Sequence, residues 1–284
     1  MFRLKLNDID AFYSHSTFPG GEEHVRINKA GIPQRIADVN ITAHVKNSAD
    51  LITLALLVNA VRGLPQMAFD AQVHLELPYF PYARQDRRCN FGEALSAVVV
   101  ANLINGMNFS SVTVKDPHSD VVENLVNNVI IRRQDAIVRD YLGWYIRGQE
   151  CVLVSPDAGA AKKVEKLSQS LGGVPIVYGH KQRDLPTGGI IGLTIDNPAL
   201  VKDRNLVIVD DICDGGRTFI ELAKTLRQHE PKSITLFVTH GIFSQGLSVF
   251  DGLIDAVYSD TIWWENVTAD GSIQFASDIK GRVK

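Results

Sequence analysis

The chain has 284 residues, 45% hydrophobic and 21% charged, with 29 Lys and Arg against 32 Asp and Glu and a formal net charge of −3. This length suits one large domain or two ordinary ones, and the charge argues against a general nucleic-acid binder while leaving room for a local basic cleft that draws phosphates. No apolar run approaches the about 20 residues that cross a bilayer; the opening MFRLKLNDIDAFYSHS has no apolar segment of signal-peptide type, and Cys89, Cys151 and Cys213 are far apart without C-x-x-C spacing, so no membrane, disulfide framework or zinc site is expected and a reducing cytoplasm fits.

In chain order, residues 73–80 (VHLELPYF) predict a strand, 93–107 (EALSAVVVANLINGM) a buried helix and 111–116 (SVTVKD) a second strand. Residues 151–157 (CVLVSPD) predict a strand, 160–171 a helix and 174–179 (VPIVYG) a strand. Residues 205–211 (NLVIVDD), 218–230 and 233–240 (SITLFVTH) repeat strand, helix, strand. Apolar strands alternating with helices imply parallel sheets covered on both faces. The pattern occurs twice, over about 1–135 and 136–284, which predicts two α/β domains of similar architecture. Ligands in such sheets bind beyond the carboxyl ends of the strands, so the residues just after each strand carry the functional reading.

The most informative segment runs from Asn205 to Thr218. An apolar strand leads into Asp210 and Asp211, then Asp214, Gly215, Gly216, Arg217 and Thr218 at a helix start. Glycines allow a tight turn and close backbone approach. A helix N-terminus favours an anion such as phosphate. Adjacent carboxylates accept hydrogen bonds from a sugar diol, so a ribose with a 5-phosphate satisfies both ends. Arg84, Arg87 and Arg88 cluster after the 73–80 strand, where planar guanidiniums can clamp a polyphosphate. His118 stands at a strand tip beside Asp116, a position that suits a metal ligand.

The 205–218 segment resembles the PRPP-binding motif of the phosphoribosyltransferase superfamily. Pro78-Tyr-Phe-Pro-Tyr82-Ala-Arg84-Gln85-Asp86-Arg87-Arg88 closely resembles a motif of the ribose-phosphate pyrophosphokinases, the PRPP synthetases. Lys115-Asp116-Pro117-His118 is similar to that family's Asp-Leu-His motif, and Ser155-Pro156-Asp157-Ala-Gly159 to its Ser-Pro-Asp-x-Gly segment. Lys181-Gln182-Arg183 falls where the family has a flexible Lys-Arg-Arg catalytic loop. Phe18-Pro-Gly-Gly21-Glu22 looks like its adenine-contacting segment, which acts from a neighbouring subunit; Thr239–Ser244 and Asp260–Ile262 match later segments.

The resemblance implies two phosphoribosyltransferase-like domains, each a mostly parallel sheet flanked by helices: an ATP-binding domain over 1–135 and a ribose-phosphate-binding domain over 136–284, whose last residues could return to the first. It implies Mg2+-dependent transfer of a diphosphate from ATP to O1 of ribose 5-phosphate, giving PRPP and AMP. Phe18, Glu22, Arg84, Gln85 and Arg87 would hold ATP. Asp210, Asp211, Asp214, Gly215, Gly216, Arg217 and Thr218 would hold the ribose phosphate. Asp157 and His118 would position magnesium, and Lys181, Arg183 and His118 would act in catalysis. It also implies a homo-oligomer, at least a dimer with a shared ATP site.

Four departures from the family pattern matter. Gly215 replaces a hydroxyl donor and Arg217 a small residue, the 181–190 loop is short, Gly20 replaces an acid that helps recognise adenine, and the N-terminal strand region matches poorly. The altered phosphate loop motivates an alternative acceptor with a larger 5-substituent, such as ADP-ribose. A PRPP-consuming phosphoribosyltransferase and a non-catalytic regulatory homologue are the other readings.

Overall fold

The computed structural model describes residues 2–183, 190–263 and 273–275, with the backbone alone for 181–183, 190–191 and 273–275. The chain divides into two units, Met1–Arg132 and Arg133–Lys284.

The first unit contains β1 (Arg3–Leu6), β2 (Ile9–Ala11), β3 (Tyr13–Thr17), β4 (Glu23–Ile27), β5 (Ile36–Thr42), α1 (Ser48–Arg62), β6 (Met67–Leu77), α2 (Ser96–Gly106), β7 (Ser111–Lys115), α3 (Val121–Leu125) and β8 (Val129–Arg132). Its main sheet has the order β2-β1-β5-β6-β7-β8, and β3 and β4 form a separate hairpin. Strands β5 to β8 are parallel, while β1 runs antiparallel to β5. Helix α1 starts at a capping box in which Asn47 and Asp50 satisfy each other's backbone amides. Its Leu51, Leu54, Leu57, Val58 and Val61 then face the sheet at helical spacing. Each buried aliphatic side chain of this kind contributes about 1.5–3 kcal/mol.

Consecutive parallel strands joined by right-handed crossovers put every connecting helix on one side. Accordingly Val39, Ile41, Val73, Leu75, Leu77, Val112 and Val114 form one cluster with the apolar faces of α1, α2 and α3. The alternate residues are polar: Asp38, Asn40 and Thr42 on β5, His74 and Glu76 on β6, Ser111, Thr113 and Lys115 on β7. They bond among themselves, with His74 Nδ1 2.7 Å from Ser111 Oγ, Thr42 Oγ1 donating to Glu76 at 3.2 Å and Lys115 Nζ 3.8 Å from Glu76. Among the described residues of this unit, helices therefore cover the apolar face alone, where the strand pattern led to cover on both. The alternation in Val73-His74-Leu75-Glu76-Leu77 is the sequence sign of a one-sided sheet.

The second unit contains α4 (Gln134–Gly148), β9 (Cys151–Ser155), α5 (Ala161–Ser170), β10 (Ile176–Arg183), β11 (Ile190–Ile195), β12 (Asn205–Cys213), α6 (Arg217–Arg227), β13 (Ser233–Gly241), β14 (Ala256–Ile262) and β15 (Ile273–Phe275). Among the described residues its sheet has the order β11-β10-β9-β12-β13-β14-β15. Pairing along β10-β9-β12-β13-β14 is parallel throughout. Here the crossovers leave β9 and β12 in opposite directions, so the helices take opposite faces. Val207 and Val209 pack with α4 and α5, while Leu206 and Ile208 pack with α6. The strands are accordingly apolar at nearly every position. The order reverses between β9 and β12, and that switch point is where an open α/β sheet leaves a crevice. Among the described residues no helix is long and apolar enough to cross a membrane.

Candidate active site

At the switch point, β9 ends in Ser155-Pro156-Asp157. Asp157 Oδ1 accepts from the amides of Gly159 at 2.9 Å and Ala160 at 3.2 Å, so it fixes the turn into α5. On the adjacent strand, Asp210 and Asp211 occupy successive positions of β12 and so leave the strand on opposite faces. The Asp211 amide donates to Asp210 Oδ1 at 2.9 Å. Asp211 is buried, with Oδ2 3.6 Å from Lys163 Nζ on α5.

Burial pushes the Asp210 carboxyl well above the usual carboxylate range, and the charges of Asp211 and Asp157 push it the same way. Three acids therefore crowd one crevice, at a cost in stability that a bound cation or sugar diol would offset. A folded-state pKa raised above the unfolded value means that Asp210 destabilises the fold above the ordinary carboxylate range, and that the penalty fades as pH falls into that range. Asp210→Asn is expected to raise the melting temperature at neutral pH, with the gain shrinking toward acid. A lower melting temperature at neutral pH would contradict this reading.

Beyond β12 the chain is stitched to the segment after β13. Cys213 O accepts from the amides of Ile242 at 2.8 Å and Phe243 at 3.1 Å, and Asp214 O from Ser244 at 3.2 Å. Gly216 has φ +76° and sits on Phe250. Helix α6 starts at Arg217 without a side-chain cap, so its first amides point out of the helix toward the crevice end of the sheet. Arg217 is exposed and Thr218 partly buried. Burial pushes the Cys213 thiol up to about 12 and Cys151 to about 11, so neither is a thiolate nucleophile.

In the first unit, Arg84, Gln85 and Arg87 lie on the loop after β6. Gln85 is anchored: its amide donates to Tyr82 O at 2.9 Å, its Oε1 accepts from Ser96 Oγ at 2.6 Å, and its carbonyl accepts from the Ala97 amide at 3.2 Å. Arg84, Arg87 and Arg88 are exposed. The loop closes on Glu93, whose carboxylate accepts from the amides of Cys89 at 2.6 Å and Asn90 at 2.9 Å and is held below its ordinary pKa by bonds from Asn90 and Cys89. His118 is exposed on the turn after β7, next to buried Asp116 in a left-handed conformation with φ +36°. Phe18 and Glu22 are exposed at the tip of the β3–β4 hairpin, closed by the Phe18 amide on Glu22 O at 2.8 Å.

The structure thus brings Asp157, Asp210, Asp211 and the Asp214–Thr218 turn to the carboxyl ends of the adjacent strands β9 and β12 in the second unit. It puts Arg84, Gln85 and Arg87 on one loop of the first, with His118 after the neighbouring strand. The backbone of Lys181 and Arg183 belongs to β10, in register with Leu193 and Ile190 of β11. Their side chains, and the 184–189 part of the loop, lie outside the described residues. Lys163 escaped the sequence reading. Its signal was a lysine in the first turn of a helix, where the dipole disfavours a cation.

Two family models match in tandem: the N-terminal domain of ribose phosphate pyrophosphokinase over residues 9–107, and the phosphoribosyl transferase domain over residues 129–265. The chain belongs to the ribose-phosphate pyrophosphokinase family. This is a family of enzymes. Its ribose-phosphate pyrophosphokinase from Mycoplasma pneumoniae is 29% identical over 81% of this chain and 68% of its own length. The one from Thermotoga maritima is 26% identical over 93% and 82% respectively, and ribose-phosphate pyrophosphokinase 2 of Archaeoglobus fulgidus 29% over 86% and 82%. The crystal structure of phosphoribosylpyrophosphate synthetase from Mycobacterium smegmatis shares the fold, with a TM-score of 0.75 at 23% identity over 97% of this chain and 91% of that one.

Proposed function

We propose that this chain transfers the terminal diphosphate of ATP to O1 of ribose 5-phosphate, giving PRPP and AMP. The sugar O1 attacks the β-phosphorus, the bond from that phosphorus to the oxygen of the AMP moiety breaks, and the hydroxyl proton is lost. The observation that carries the reading is the run from the adjacent acids Asp210 and Asp211 into the uncapped start of α6. Carboxylates suit the ribose hydroxyls, with Asp214 near O1. The amides and side chains of Gly215, Gly216, Arg217 and Thr218 suit the 5-phosphate.

In this reading residues 1–135 bind ATP and 136–284 the sugar phosphate. Arg84, Gln85 and Arg87 hold the nucleotide, helped by Phe18 and Glu22 of a second copy in an oligomer that is at least a dimer. Lys181 and Arg183 neutralise the transferred diphosphate, because transfers of this kind depend on positioning and charge neutralisation. Among the described residues no group of three or more His, Cys, Asp or Glu forms a metal cage. Magnesium keeps waters and takes one or two protein ligands together with substrate phosphates. Asp157 and His118 would hold it, and when bound it would neutralise phosphate charge.

A second acceptor is favoured by one feature. A Cβ at Gly215 would meet nothing closer than Gln245 Cγ at 3.6 Å, so the position has room where the family pattern has a hydroxyl-bearing side chain, and exposed Arg217 adds a cation beside it. This loop suits a 5-diphosphate such as that of ADP-ribose. Product analysis by chromatography and phosphorus NMR tests both. The protein is mixed with ATP and magnesium and offered ribose 5-phosphate or ADP-ribose separately. AMP and PRPP from ribose 5-phosphate support the first reading. AMP with ADP-ribose alone moves the enzyme to the second, and no AMP with either leaves a non-catalytic homologue. Gly215→Thr sharpens the choice: it should cut turnover of ADP-ribose at least about tenfold, the scale on which a pocket discriminates one small group. It should leave ribose 5-phosphate turnover unchanged or higher.

A further inference from the structure

The lysine on α5 has no role in the reading so far. Lys163 lies in the first turn of the helix, beside buried Val164. There the helix dipole and partial burial both disfavour a cation. Neighbouring Lys162 is exposed, whereas Lys163 is turned toward the sheet with its side chain 29% exposed. Its Nζ is 3.6 Å from Oδ2 of Asp211, whose side chain is 10% exposed. A cation kept in such a place implies a task there.

The strand geometry indicates the task. Asp211 follows the parity of Val207 and Val209, the β12 residues that pack under α4 and α5. Asp210 follows the parity of Leu206 and Ile208 and turns to the α6 side. The two carboxylates still lie close enough to interact with each other, so whatever orients Asp211 also bears on Asp210. Lys163 approaches the Asp211 carboxylate from the α5 side.

We propose that Lys163 is the positioning residue for the sugar: it holds Oδ2 of Asp211 and so fixes the carboxylate that receives a ribose hydroxyl beside Asp210. Lys163 acts through Asp211 and does not itself touch the transferred phosphate. The proposal rests on the ribose-binding reading of Asp210 and Asp211.

The test is a double-mutant cycle with steady-state kinetics in ribose 5-phosphate and ATP, together with calorimetric titration of ribose 5-phosphate alone. Lys163→Met should raise the KM for sugar at least tenfold and change kcat less than threefold. Lys163→Arg should recover most of the affinity, because it keeps the cation. In an Asp211→Asn background, Lys163→Met should add less than a twofold further loss, because the group it orients is gone. Losses that multiply in the double variant, or a fall in kcat with KM unchanged, would overturn the assignment. So would a sugar KM within twofold of wild type in Lys163→Met. The calorimetric titration reads sugar affinity without diphosphate transfer. If the wild-type protein binds ribose 5-phosphate but makes no AMP, the proposed reaction fails while the role of Lys163 is still measured.

Discussion

Lys181→Ala is expected to lower turnover by about 10²–10³-fold, the usual loss when one group that stabilises developing charge is removed. ATP affinity should stay within about threefold. The asymmetry follows from where the contact forms. Charge redistributes over the transferred phosphoryl groups as the bonds exchange, so a cation in the β10–β11 region is worth more in the transition state than in the ground state. Transition-state loss appears in kcat, whereas uniform binding loss appears in KM. Pre-steady-state turnover with independently measured ATP binding separates them. Equal loss in both quantities would take Lys181 out of the chemistry and make it a simple nucleotide contact.

Gly216→Ala is expected to cost about 2–4 kcal/mol of stability and most of the activity, although it adds one methyl group. Two independent terms combine. The backbone has φ +76° there, which costs an L-residue about 1–2 kcal/mol. A Cβ would also lie 2.7 Å from Cζ of Phe250 and 3.0 Å from its Cε1. That ring is buried, so it cannot swing into solvent. Either the turn or the ring must shift, and the turn carries the first amides of α6. Gly215→Ala is the internal control, because its nearest neighbour would be 3.6 Å away and its φ is not positive. Thermal unfolding of the two variants should differ by several degrees. Phe250→Leu in the Gly216→Ala chain should return part of the loss, and wild-type behaviour of Gly216→Ala would mean that this close packing does not hold the loop.

The second unit was the more legible from sequence. Its strands are uninterrupted apolar runs, and β9, β12 and β13 were each expected to within two residues of where they lie. The misplaced boundaries have local causes. The strand expected over 73–80 stops at Leu77, where Pro78 offers no amide to a ladder. The helix expected from residue 93 starts at Ser96, because the Glu93 carboxylate is bound to the amides of the preceding turn. Strands β3 and β4 escaped because YSHST and EHVRI are mostly polar and, among the described residues, pair with each other alone. At the site, Asp157, Asp210, Asp211 and the glycine turn were readable because acids and glycines directly after apolar strands are conspicuous. Lys163 was not, because its meaning lies in a contact across 48 positions of sequence.

The one-sided sheet of the first unit makes the two halves respond differently to losing a single residue. A one-residue deletion early in β6 exchanges the two faces of everything after it. Val73, Leu75 and Leu77 would turn away from α1 and α2, and His74 and Glu76 would turn into them, so the layer could not close. The same deletion in β12 exchanges Leu206 and Ile208 for Val207 and Val209, one apolar set for another, and the strand could still be covered on both sides. Its damage would fall on Asp210 and Asp211, which would trade faces. The first unit is thus sensitive to frame in its folding, and the second in its chemistry.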